Sequence, residues 1–170
     1  MDVLEAIFTR RSIRRFTGEP IKEEDLRTIL KAGFQAPSAH NYEPREYVVV
    51  RDKDVLDRIA EFHKYAKMLP KAGCGIIVCG DKEKQPEIGF LVEDCSASIQ
   101  NMLLAAHGLG LGAVWCGIYS VEKLIKSVAD VLELPDNLIP IGMVVVGVKA
   151  EDKEPIDRFD ENKVHFDKWK

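Results

Sequence analysis

The stretch from Glu87 to His107 constrains this chain more than any other. Ile88, Leu91, Val92, Cys95, Ile99, Met102, Leu103 and Ala106 recur at helical spacing, in a stripe too wide for one side of a surface helix. A helix that long and that apolar must be covered, so the spacing predicts a central helix with the rest of the fold built round it. Gly108, Gly110 and Gly112 end it.

The remaining elements alternate between short strands and amphipathic helices. Helical periodicity predicts a first helix over Asp2 to Arg10, with Val3, Leu4, Ile7 and Phe8 on one face. A second follows Pro20, with Leu26, Ile29, Leu30 and Phe34 on one side and three acids, Glu23, Glu24 and Asp25, in the first turn; it stops before Pro37. Further helices are predicted from Asp54 to about Tyr65 and from Val121 to Leu132, the latter opened by Ser120. The β-branched run Glu46 to Val50, the apolar runs Cys74 to Cys79 and Ala113 to Cys116, and Ile139 to Val148 read as strands. Helical content is high for a doubly wound sheet, and an α+β sheet flanked by helices fits best.

Composition closes off several classes. With 46% hydrophobic and 31% charged residues the chain is an ordinary globular domain, not a disordered or collagen-like one, and 170 residues suit a single core. A net charge of −4 argues against a dedicated nucleic-acid binder. No run approaches the ~20 apolar residues that span a bilayer. No basic segment precedes an apolar one at the N-terminus, so a cytoplasmic protein without a membrane partner is expected. Cys74, Cys79, Cys95 and Cys116 form no CxxC pair and read as reduced core thiols rather than metal ligands. The final segment, Glu151 to Lys170, is charged and aperiodic yet carries Phe159, Phe166 and Trp169. Such aromatics require cover, from the domain itself or from a partner subunit.

Three segments hold residues suited to chemistry. Arg10-Arg11-Ser12-Ile13-Arg14-Arg15 puts four arginines into six residues of an acidic chain. It reads as a solvated basic face, a nucleic-acid patch or a phosphate clamp, and composition does not separate the three. Ala36-Pro37-Ser38-Ala39-His40-Asn41 is either a plain helix stop or a rigid loop offering hydrogen bonds. Gly108-Leu109-Gly110-Leu111-Gly112 follows a helix and enters a strand, the reverse of a dinucleotide loop, so it is a turn. Beyond it, Gly117 lets a flat ligand approach the backbone. The four histidines are scattered, and no hydrolase, metalloprotease or P-loop motif is present. Thin acid–base machinery points to a binding protein, or to an enzyme whose cofactor carries the chemistry.

Four pieces, RRSIRRF, APSAHNYEP, LLAAHGLGLGAVWCG and DRFDENKVHF, lie in this order over essentially the whole chain, and together they resemble the nitroreductase family of FMN-dependent oxidoreductases. The resemblance implies a central, mostly antiparallel sheet flanked by helices, with residues 1–150 as the FMN-binding domain. It also implies an intertwined homodimer in which residues 151–170 wrap the partner. It assigns Arg10, Arg11, Ser12 and Arg14 to the flavin, with the first of these on the phosphate and ribityl end and Arg14 near the N1/C2=O edge. Pro37, Ser38, Ala39 and Asn41 would reach the flavin from the other subunit, and Gly117 and Ile118 would turn a backbone N–H to the N5/O4 side. Arg158 would serve the phosphate, with Lys149 a weaker candidate. No side chain is implied as an indispensable catalytic acid or base, and no metal is implied.

Two departures stand out. The family loop commonly reads NxQPW, where this chain has Asn41-Tyr42-Glu43-Pro44-Arg45. The chain is also short for the family, which leaves the substrate site either open or built from Phe62 to Met68, the candidate lid, and the partner's surface. The implied activity is electron transfer from NADH or NADPH through flavin N5 to a small acceptor, a nitroaromatic, quinone or similar molecule, in ping-pong fashion. The alternatives are an FMN-binding storage or sensory protein without turnover, and a flavin-consuming or dehalogenating member of the same fold.

Overall fold

The computed structural model describes residues 1–169. The elements run α1 (Val3–Thr9), α2 (Glu23–Phe34), β1 (Arg45–Val50), α3 (Lys53–Phe62), α4 (Leu69–Ala72), β2 (Cys74–Asp81), α5 (Ile88–Gly108), β3 (Gly112–Gly117), α6 (Glu122–Leu132) and β4 (Leu138–Gly147). The four strands form one antiparallel sheet in the order β1-β2-β4-β3. No helix among the described residues is long and apolar enough to cross a membrane.

Apolar residues are continuous along β2 and β4 because both faces of the sheet are covered. Ile76, Val78, Val144 and Val146 pack with Leu26 and Ile29 of α2 and with Leu91, Ile99 and Met102 of α5. The alternate residues Ile77, Cys79, Met143 and Val145 pack with Leu56 and Ile59 of α3, Leu69 of α4 and Val128 of α6. A two-residue period sends successive side chains to opposite layers, so a strand buried on both sides loses its polar alternation. The long helix α5 fills the centre of one layer, as its stripe predicts. It ends in a Schellman-type cap: Leu111 N–H donates to Ala106 O (2.9 Å) and Gly110 takes φ 79°.

Three local expectations are corrected. Val3, Leu4, Ile7 and Phe8 do not enter the core; Phe8 is 67% exposed, and Ala6 is the buried residue of α1. The third helix ends at Phe62 rather than near Tyr65, because His63 turns inward and is 1% exposed. Ser120 does not cap α6: Val121 holds that position, without a side-chain bond to the helix, and Ser120 itself has φ 72°.

One tight approach closes the end of the sheet. A Cβ on Gly147 would stand 2.6 Å from the Ala72 carbonyl oxygen and 3.0 Å from the Phe16 ring. Backbone cannot yield as a flexible side chain does. Gly147→Ala is therefore expected to cost about 1–3 kcal/mol, read as a lowered urea midpoint at unchanged m-value.

Candidate functional site

Arg10 caps the C-terminus of α1, its backbone N–H donating to Ala6 O (3.1 Å). Its guanidinium is partly buried, and Nη1 has no hydrogen-bond partner. Burial and then the nearby Arg158 and Arg11 guanidinium groups depress its pKa. Among the described residues none of these three arginines lies within 4.0 Å of a carboxylate. Three like charges held together, one with an orphaned donor, are disfavoured unless an anion joins them. Such an arrangement has the chemistry to take an anion, and a phosphate, with three acceptor oxygens and a charge near −2, fits it.

The segment that presents these arginines is tied down along its length. Ile13 N–H donates to Ala113 O (3.0 Å) on the edge of β3, Thr17 N–H to Val148 O (2.9 Å), and Ala150 N–H to Arg15 O (2.9 Å). Lys153 Nζ donates to Ser12 O (2.8 Å), and Arg11 Nη1 donates to Glu154 O. Glu151 accepts from the Arg14 and Arg15 amides at 2.7 and 3.2 Å. The bond from the Arg14 amide is the main reason the Glu151 carboxyl is held below its ordinary range. Residues 149–154 thus act as a strap that pre-orders the arginine loop.

The second loop is equally well defined. Ala39 N–H donates to Asp94 Oδ1 (2.8 Å) on α5, and Glu43 N–H donates to Ser38 Oγ (2.9 Å). His40, Asn41 and Glu43 all take left-handed φ, at 53°, 55° and 47°. Pro37 and Asn41 are exposed; Ser38 and Ala39 are half-buried. At the position where the family loop carries tryptophan, Arg45 is 3% exposed and donates from Nη2 to Phe34 O (2.7 Å). It props the loop from beneath and does not line an open surface. Glu43 is exposed.

The third piece is the end of β3. Gly117 is exposed, with open space where a Cβ would stand. The Ile118 amide is already committed to Ile141 O (3.2 Å), and its side chain is fully buried. Strand alternation therefore turns the Gly117 N–H and C=O to the free edge. His63 Nε2 donates to that carbonyl at 2.9 Å, and Cys116 Sγ lies 3.4 Å from Tyr65 O, so residues 63–65 run beside the exposed edge. Burial pushes the Cys116 thiol up to about 11, which leaves it a poor nucleophile near neutrality.

One chain does not bring these pieces together. The loop hangs from Asp94 and leads into β1, whereas Gly117 ends β3; the two strands are opposite edges of the sheet, about 14 Å apart. The arginine segment is held at the other end of α5, where Thr9 Oγ1 meets His107 Nε2 (2.8 Å). At 1.5 Å per residue, Asp94 and His107 stand about 20 Å apart. Arg158 lies on the exposed tail and lines a groove of about 800 Å³ with Ile7, Phe8, Pro155, Ile156, Asp157 and Phe159.

A family model described as Nitroreductase family matches residues 7–65 and 62–148. The chain is a member of the nitroreductase family. A relative from Methanothermobacter thermautotrophicus, provisionally named NADH dehydrogenase/NAD(P)H nitroreductase, is 43% identical over 169 residues, 99% of this chain and 88% of the relative. Among solved structures, a similarly named protein from Parabacteroides distasonis superposes with a TM-score of 0.94 at 36% identity, covering 98% of each chain. A Desulfovibrio desulfuricans protein solved in complex with FMN superposes at 0.85 with 32% identity, covering 100% of this chain and 99% of the other.

The residues of this nitroreductase-family chain fit such a ligand. The orphaned Arg10 Nη1 suits a phosphate, and the open space at Gly117 suits a flat ring. Sequence reading passed over Asp94, His63 and Glu151. Asp94 left one trace, an acid inside the apolar stripe of α5; His63 lay inside the candidate lid without a role of its own, and Glu151 left none, because their partners are distant in sequence.

Proposed function

We propose that this chain is the protomer of a homodimeric FMN-dependent oxidoreductase that draws electrons from NADH or NADPH and passes them to a small acceptor such as a nitroaromatic or quinone. The observation that carries the reading is the Arg10, Arg11 and Arg158 cluster, which holds an unpartnered donor and no paired carboxylate. Arg10, Arg11, Ser12 and Arg158 hold the phosphate and ribityl end. Arg14 is exposed and its side chain has no partner among the described residues, so its charge is available at the ring's N1/C2=O edge, where it would offset the negative charge that reduction brings. The Gly117 amide, at the free edge, serves the N5/O4 side in place of the committed Ile118 amide. FMN, held by these residues, would supply the two-electron chemistry between the nicotinamide and the acceptor.

Two copies complete the site. Pro37, Ser38, Ala39 and Asn41 are separated from Gly117 by the width of the sheet, so a second copy running antiparallel brings its own loop to the first copy's flavin. The apolar face of α1 and the aromatic tail, residues 151–170, are the parts of each chain left for the partner to cover. A ping-pong cycle follows if donor and acceptor stack in turn on the same exposed face of the bound flavin.

The test is the visible spectrum of the purified protein, followed by anaerobic mixing with NADH and with NADPH. Bleaching of the flavin bands by either nucleotide, and recovery on adding a quinone or nitroaromatic, is the expected result. Colour that persists with both points to a storage or sensory protein. Protein that stays colourless in excess FMN overturns the reading.

A further inference from the structure

His107 stands behind the arginine cluster and has no part in the site as described so far. Thr9 Oγ1 donates to Glu5 O (2.6 Å), so its lone pairs face His107 Nε2 at 2.8 Å, and the imidazole must be the donor in that bond. This leaves Nδ1 as the nitrogen that gains or loses a proton. The charges facing the ring come from three directions: Arg10 at the end of α1, Lys149 just after β4, and Glu5 within α1. Lys149 is itself paired with Asp152.

We propose that His107 belongs to the phosphate site and takes up a proton when the phosphate of FMN enters the Arg10, Arg11 and Arg158 cluster. The inference rests on the cofactor reading above. Without an anion, burial and then Lys149 and Arg10 depress the His107 pKa, and Glu5 alone opposes them. A phosphate dianion beside Arg10 reverses the sign of the local field, so the imidazolium that was disfavoured becomes favoured. Linkage requires the reverse as well: protonating His107 tightens FMN. In flavin-free protein the depressed pKa means that stability is full above the ordinary histidine range and falls as pH drops through it. In the complex the imidazolium is favoured, so FMN is held more tightly as pH falls through the histidine range, until the phosphate itself protonates near ~6.

The test follows the histidine ring resonances of the full chain by NMR from about pH 5 to about pH 8. Three states are compared: flavin-free, saturated with FMN, and saturated with riboflavin, which lacks the phosphate. Loss of one signal in His107→Gln assigns the resonance, and Lys149→Gln gives a second check by raising the flavin-free midpoint. The midpoint is expected to rise by about one unit with FMN, equivalent to roughly tenfold in linked affinity, and to stay in place with riboflavin. If FMN binds and the midpoint does not move, or if riboflavin moves it equally, the proposal fails and the cofactor reading survives. If FMN does not bind at all, both fall.

Discussion

Arg10→Gln will weaken FMN binding by roughly 10- to 100-fold, since a hydrogen bond to a charged group is worth about 1.5–3 kcal/mol. The substitution keeps a polar but shorter and uncharged side chain and leaves untouched the bond from the Arg10 amide to Ala6 O that caps α1. It removes the guanidinium within the cluster whose Nη1 is buried without a partner among the described residues. Riboflavin is the internal control: it has no phosphate, so its affinity should be the same for both proteins. Arg10→Lys should fall between the two, because an ammonium keeps the charge and loses the fork that grips two oxygens at once. The flavin-free variant carries an opposite signature. Removing one of three clustered cations relieves repulsion, so its thermal midpoint should be equal to or above that of the parent, while the FMN-loaded midpoint drops. Equilibrium dialysis with FMN gives the first readout and thermal melts the second. An unchanged FMN affinity would falsify the phosphate assignment.

Ending the chain at Ala150 is expected to give a monomer that binds FMN poorly. The truncation removes Phe159, Phe166 and Trp169, which are 73, 80 and 85% exposed in the single chain. Aromatic side chains exposed to that degree over one short segment are what a partner surface covers. It also removes the strap. Glu151 no longer accepts from the Arg14 and Arg15 amides, Lys153 no longer reaches Ser12, and Arg158 leaves the cluster. The isolated core should nonetheless fold, because both apolar layers consist of residues before 150. Sedimentation velocity and the visible spectrum of the same sample decide the matter. An intact, flavin-loaded dimer after truncation would show that the tail neither joins the copies nor orders the site.

Gly147→Ala and His107→Gln probe different layers of the same construction, the first the closure of the sheet and the second its electrostatics. Their effects should be independent, since Gly147 abuts Ala72 and Phe16 while His107 faces Thr9 on α1.

What was legible in the residues was whatever a local period encodes. The stripe on α5, the β-branched runs and the glycine turn after His107 predict elements that the structure places within a few residues. Local pattern also misled where burial was at issue. The face of α1 has the spacing of a core helix, yet Val3, Leu4, Ile7 and Phe8 stay outside the core and Ile7 and Phe8 line only an open groove beside the tail, because periodicity reports that an apolar face must be covered and not by which molecule. The end of α3 was missed for a related reason: His63 leaves the helix to reach the Gly117 carbonyl, a contact between residues 54 positions apart.

The amino-acid sequence by itself determined five of the six helices, the four strands and the pool of arginines, since each follows from neighbours within a turn or two. Only the tertiary structure decided that Arg10, Arg11 and Arg158 share one corner without an ion-paired carboxylate among the described residues, that Glu151 orders their loop, and that the second loop lies across the sheet from Gly117. Those are contacts between segments remote in sequence. They depend on strand order and on the length of α5, which no local spacing carries.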